Sequence, residues 1–140
     1  MKKLNSGKKL NILAWGDSVT NGGYLPPSQR YQNYFAAMLR KRYPASKITM
    51  NTLGWGGRTT RCYFGEPAGS EYNYEEHVLA AKPDLVITEF VNDAGLPPDV
   101  FIKNYERILA DFRACGIEWI ILTPHYIIPS WMKLEGQKKL

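Results

Sequence analysis

The tripeptide Gly16-Asp17-Ser18 follows directly on the apolar run Leu10-Asn11-Ile12-Leu13-Ala14-Trp15. A junction of this kind ends a short buried strand in a tight turn and lifts one serine hydroxyl to the rim of a sheet. Such a serine is either a nucleophile awaiting a base or the cap of a helix or phosphate-binding turn. Two later segments bear on the choice. The stretch Asn51-Thr52-Leu53-Gly54-Trp55-Gly56-Gly57-Arg58-Thr59-Thr60 holds a glycine turn. At Gly57 a backbone N–H can approach a reacting oxygen with no side chain in the way, which suits the oxyanion formed when an ester carbonyl is attacked. Asn92 has a side-chain amide able to donate to the same oxyanion, and Asp93 can tie down its loop. Alone, the turn reads as a loop tip and Asn92 as an Asx-turn. Serine, glycine and asparagine in this order, each after a successive strand-like run, point together to acyl chemistry.

The elements that must position these groups are legible in the apolar pattern, which switches between short strand-like runs and helical spacing. After the loop Val19 to Pro27, a helix is expected in which Tyr31, Tyr34, Phe35, Met38 and Leu39 share one face and Pro44 is the stop. Lys47 to Leu53 reads as the second strand. A long loop through Gly65-Glu66-Pro67-Ala68-Gly69 then leads to a short helix from about Tyr74 to Ala81. Asp84 to Phe90 is the third strand. Phe101, Tyr105, Ile108, Leu109 and Phe112 recur at helical spacing between Pro98-Asp99 and Gly116, and Trp119 to Thr123 forms the fourth strand. The alternation of strand and helix implies an α/β fold with parallel strands, right-handed crossovers and helices on both faces. Ligands of such a sheet lie outside the carboxyl ends of its strands, where Ser18, the glycine turn and Asn92-Asp93 all fall.

At 140 residues the chain has the size of one domain; residues 1–9 read as a basic tail and 10–140 as the domain. The formal charge of +5 is concentrated at the two ends, in Lys2, Lys3, Lys8 and Lys9 and in Lys133, Lys138 and Lys139. No helix carries a basic stripe, so no nucleic-acid partner is expected. No apolar run reaches the ~20 residues that cross a bilayer, and the start has no secretory pattern. With two cysteines, Cys62 and Cys115, a reduced cytoplasmic setting is the expectation. No spacing of His, Cys and carboxylates suggests a metal site, and no cofactor is implied.

At these residues the chain resembles the GDSL/SGNH hydrolase family of esterases and acylhydrolases. Its first block matches Gly16-Asp17-Ser18-Val19-Thr20-Asn21-Gly22, and its second matches Asn51, Gly54, Gly57 and Thr59. Its third, Gly-x-Asn-Asp, appears as Phe90-Val91-Asn92-Asp93 with Phe90 in place of glycine. The resemblance runs from about Leu10 to Thr123. It implies a three-layer α/β/α sandwich with a flavodoxin-like strand order. It also implies Ser18 as nucleophile, with the N–H groups of Ser18 and Gly57 and the Asn92 side chain as oxyanion hole.

The family's fourth signature, Asp-x-x-His, supplies the base, and it does not occur in this chain, whose last aspartate is Asp111 and whose histidines are His77 and His125. The expectation is a chain lacking the C-terminal part of the fold, with one sheet edge open to a second copy. His125 follows the fourth strand and is expected beside the substrate pocket, while His77 is expected at the surface. Trp15 and Trp55 are expected to flank the site, with Arg58 and Arg61 facing an anionic or polyhydroxylated substrate and Tyr24 and Tyr63 lining the pocket. Asp17 and Asp93 are placed among the residues near the substrate. The expected substrate is a small acyl ester, with O-acetylated carbohydrate in view. The alternatives are a binding module for carbohydrate or phosphate on the same fold and a flavin binder.

Overall fold

The computed structural model describes residues 2–123. Four parallel strands, β1 (Leu10–Gly16), β2 (Ile48–Gly54), β3 (Leu85–Glu89) and β4 (Glu118–Ile121), form one sheet in the order β2-β1-β3-β4. The chain grows outward from β1 first to one side and then to the other. The reversal between β1 and β3 is the topological switch point at which open α/β sheets hold ligands. The register sharpens that geometry. Gly16 pairs with Gly54 on one side and with Glu89 on the other, so the three strands end level and their loops leave the sheet side by side.

Side chains alternate across β1 because a strand has a period of two. Leu13 and Trp15 enter one core with Tyr63, Tyr74, Val78, Val86, Phe90, Ile108, Phe112 and Ile117. Leu10 and Ile12 enter the other with Ile48 and Ile87. The first face is covered by α4 (Thr60–Gly65), a π-helical turn (Glu75–Leu79) and α5 (Pro98–Cys115). The second is covered by α3 (Tyr31–Arg42), with Leu4 of the short α1 (Lys2–Asn5) packed beside it. The expected three-layer α/β/α arrangement is therefore present. Lys3 pairs with Asp84, which ties the basic N-terminal segment to the body.

Several local expectations are corrected. Tyr31, Phe35 and Leu39 pack on the core, but Tyr34 and Met38 of α3 are 63% and 55% exposed. The buried stripe leans toward Gln32 and Ala36, because the Gln32 amide reaches inward to donate to the Thr20 carbonyl at 2.8 Å. In α5, Ile108 and Phe112 are buried, whereas Phe101 and Leu109 lie at the margin with 38% exposure each. The segment after the glycine turn, read as loop, contains α4. The helix expected over 74–81 is the shorter π-helical turn.

Candidate active site

Gly16 cannot be any other residue. A Cβ there would lie 2.2 Å from the Glu89 carbonyl oxygen and 2.3 Å from Thr20 Oγ1. The sharp exit from β1 places Asp17 as N-cap of the one-turn helix α2 (Ser18–Asn21), where its Oδ1 accepts from the Val19 N–H at 3.0 Å. Ser18 is then the first residue of α2. Its side chain is exposed, and its N–H has no partner within the helix. Among the described residues, no side chain hydrogen-bonds the Ser18 hydroxyl.

The glycine turn lies against this serine: a Cβ on Gly56 would stand 3.8 Å from Ser18 Cβ. Trp55 donates its N–H to the Gly16 carbonyl at 3.0 Å, and Arg58 closes the turn by donating to the Trp55 carbonyl at 3.2 Å. Gly57 sits at φ +70° and Gly56 does not share that left-handed region, which is the pattern of a type II turn. The Gly57 N–H belongs to the central peptide of the turn. It takes no part in closing it and donates to no described residue. The Arg58 guanidinium lies 4.9 Å from the Trp55 ring centroid, and Tyr72 stacks on the same indole at 4.3 Å.

Asn92, in a 3-10 turn (Val91–Gly95) after β3, is held by Asp17. The Asp17 Oδ2 accepts from the Asn92 backbone N–H at 3.1 Å and from Asn92 Nδ2 at 2.8 Å. An amide nitrogen carries two hydrogens, so one remains for a ligand. Asp93 Oδ1 accepts from the Thr60 N–H at 2.9 Å and so anchors the start of α4. Its Oδ2 is buried without a hydrogen-bond partner. Burial raises the Asp93 pKa above the ordinary carboxylate value, and the neighbouring Asp17 charge adds to the rise. Burial, then Asp93, likewise raises Tyr105. Beneath α2, burial pushes Tyr31 up to about 12, and its hydroxyl shares a 3.1 Å hydrogen bond with Thr20.

The structure thus brings Ser18, the glycine turn and Asn92 to one edge of the sheet, with Asp17 as the shared tie. Asp17 and Asp93, expected beside the substrate, are instead buried at 0% and 2% exposure and turned toward protein N–H groups. Trp15 is buried in the core rather than flanking the site, and Tyr63 is a fully buried residue of α4 rather than a pocket wall. Arg58, Arg61 and Tyr24 are exposed, and Trp55 is half-buried. Asn51 and His77 line a separate cleft of about 240 Å³ over the middle of β1 and β2. His125 lies outside the described residues. Among those residues no cluster of His, Cys and carboxylates could hold a metal ion, and no helix is long and apolar enough to cross a membrane.

Comparison with known proteins bears on the fold and the family. No curated protein matches the chain. Among solved structures, a two-domain esterase active on acetylated mannans shares 26% identity with a TM-score of 0.73, over 86% of this chain and 31% of its own. The SGNH-hydrolase family esterase AlinE4 shares 25% identity with a TM-score of 0.64, over 88% of this chain and 62% of its own. An acetyl xylan esterase from Geobacillus stearothermophilus, at 24% identity and a TM-score of 0.66 over 86% of this chain and 61% of its own, shares the fold. The chain therefore spans less than two thirds of each of these structures. The sequence profile of the GDSL-like lipase/acylhydrolase family matches residues 14–138, and the chain belongs to that family.

Proposed function

We propose that these residues form the nucleophile and oxyanion half of a serine ester hydrolase that removes small acyl groups, acetyl first, from O-acylated carbohydrate. The observation that carries the reading is the shared tie at Asp17, which caps the Ser18 turn with one carboxylate oxygen and holds Asn92 with the other. Ser18 Oγ attacks the ester carbonyl as its proton passes to a base. The resulting oxyanion accepts from the N–H groups of Ser18 and Gly57 and from Asn92 Nδ2. Collapse expels the sugar alcohol, which takes a proton, and leaves an acyl-serine that water hydrolyses. The base is a histidine not among the described residues: His125, or one on a segment carrying Asp-x-x-His.

The choice of carbohydrate rests on the structural neighbour active on acetylated mannans. Of the turn's own residues, the exposed Arg58, lying over the half-buried Trp55 ring, is the side chain we assign to meet a sugar. The test is acetate release from acetylated mannan and acetylated xylan by the chain and by its Ser18→Ala variant. Release that disappears in the variant supports the reading. Release equal in both, or cleavage of aryl esters with no action on either polymer, contradicts respectively the nucleophile and the substrate.

A further inference from the structure

The Gly16 carbonyl, one peptide before the Asp17-Ser18 turn, accepts two hydrogen bonds. One comes from the N–H of Trp55, the first residue of the oxyanion turn, at 3.0 Å. The other comes from the Tyr63 hydroxyl at 2.8 Å, which also reaches the Leu53 carbonyl at 3.4 Å. Tyr63 thus spans the point at which β1 and β2 part, holding the last stretch of each strand. Its ring is fixed independently. It meets Trp15, Trp55, Tyr72 and Phe90 edge-on, with centroids 5.4 to 6.0 Å apart, and it has no exposed surface.

Two flexible elements must agree for an oxyanion hole to work: the turn carrying Ser18 and the two-glycine turn carrying Gly57. Donors are effective when they are fixed before charge develops, and Gly56-Gly57 is by composition the freest stretch of the site. We propose that Tyr63 is a positioning residue that locks the oxyanion turn to the nucleophile turn, acting through Gly16 O, Leu53 O and the Trp55 indole. Burial raises the Tyr63 pKa far above the usual phenol value, so the hydroxyl stays protonated and donates at every pH at which an esterase works. The Trp55–Arg58 contact continues the lock across the turn, since it joins the two residues whose backbones close it. The catalytic consequence rests on the esterase reading; the structural consequence does not.

Tyr63→Phe removes the hydroxyl and keeps the ring, and Gly16 O retains its bond from Trp55. Two readouts are taken on the whole chain. In amide hydrogen exchange and ¹⁵N NMR, the expected result is faster exchange of the hydrogen-bonded Trp55 and Arg58 N–H groups and shifted resonances at Ser18, Gly56 and Gly57, with β3 and β4 unchanged. In p-nitrophenyl acetate kinetics, after subtracting the Ser18→Ala rate, the expected result is a roughly tenfold fall in kcat at unchanged KM. A structural role alone would lower the melting temperature and leave that split absent. Unchanged exchange at Trp55 and Arg58 together with unchanged resonances at Gly56 and Gly57 overturns the proposal, as does an unchanged kcat where the parent shows a Ser18-dependent rate. A parent rate no higher than that of Ser18→Ala counts against the esterase reading only, and the exchange data then decide the role of Tyr63.

Discussion

Asp17→Asn tests the organisation of the site without requiring catalysis. The native carboxylate is fully buried. It accepts three N–H groups, from Val19 at 3.0 Å and from Asn92 backbone and side chain at 3.1 and 2.8 Å. An asparagine has one acceptor oxygen. Pointed at Val19, it caps α2 about as well as aspartate, but its NH₂ then faces both Asn92 donors. Turned the other way, it faces the Val19 N–H. In either orientation a donor meets a donor, and the remaining bonds lose their charge assistance. A hydrogen bond to a charged group contributes about 1.5–3 kcal/mol and an unsatisfied buried donor costs about 1–3 kcal/mol, so the expected loss is about 2–4 kcal/mol. Urea unfolding followed by tryptophan fluorescence measures it. A double-mutant cycle with Asn92→Ala locates it, because the cost of Asp17→Asn then falls by about 1 kcal/mol or more. A loss below about 0.5 kcal/mol, or an equal loss in both backgrounds, would refute the claim that Asp17 holds Asn92.

Two further substitutions probe neighbouring parts of the site. Gly57→Ala meets no steric obstacle, since nothing lies within 4 Å of the new Cβ, so its cost is that of φ +70° alone, about 1–2 kcal/mol. If the turn instead relaxes out of the type II form, the N–H turns away, and Ser18-dependent kcat/KM for p-nitrophenyl acetate drops about 5- to 30-fold. A drop below twofold in a variant whose NMR resonances at position 57 and Arg58 show the turn relaxed would show that this N–H is not in the hole. Asp93 has a folded-state pKa raised by burial, so its contribution to stability is fully present below the unfolded carboxylate pKa and is lost as pH rises through the folded value. Asp93→Asn removes that dependence, and urea midpoints of parent and variant should therefore diverge in the variant's favour as pH climbs from the ordinary carboxylate range. A parent whose stability rises over the same interval relative to the variant contradicts the assigned direction.

Much of this arrangement was legible because it depends on local signals that packing reinforces. The short strand-like runs that form β1, β2 and β3, with a polar or glycine-rich segment after each, were enough to place Ser18, Gly57 and Asn92 at one sheet edge. The role of Asp17 was not read from the sequence: Ser18 was the candidate cap and Val19 onward the expected loop, whereas Asp17 caps the one-turn α2 and commits its second oxygen to Asn92, 75 positions away. α4 was not legible, because Thr60-Arg61-Cys62-Tyr63-Phe64-Gly65 is too short to show a period. Without it Tyr63 reads as a loop tyrosine, and its burial follows only from tertiary packing. Trp15 could have been assigned to the core, since it shares the face of Leu13 in the strand period. The lean of α3 toward Gln32 was hidden because the inward glutamine answers to the Thr20 carbonyl, not to hydrophobicity.

The central claim is that Ser18 is a nucleophile served by the glycine turn and Asn92. Its most direct test is p-nitrophenyl acetate hydrolysis by this chain beside its Ser18→Ala variant, with intact-mass detection of an acyl adduct. The account predicts a Ser18-dependent rate and an acetyl group on Ser18, raised further when a segment bearing Asp-x-x-His is supplied. Equal rates and no adduct, with and without that segment, would contradict it.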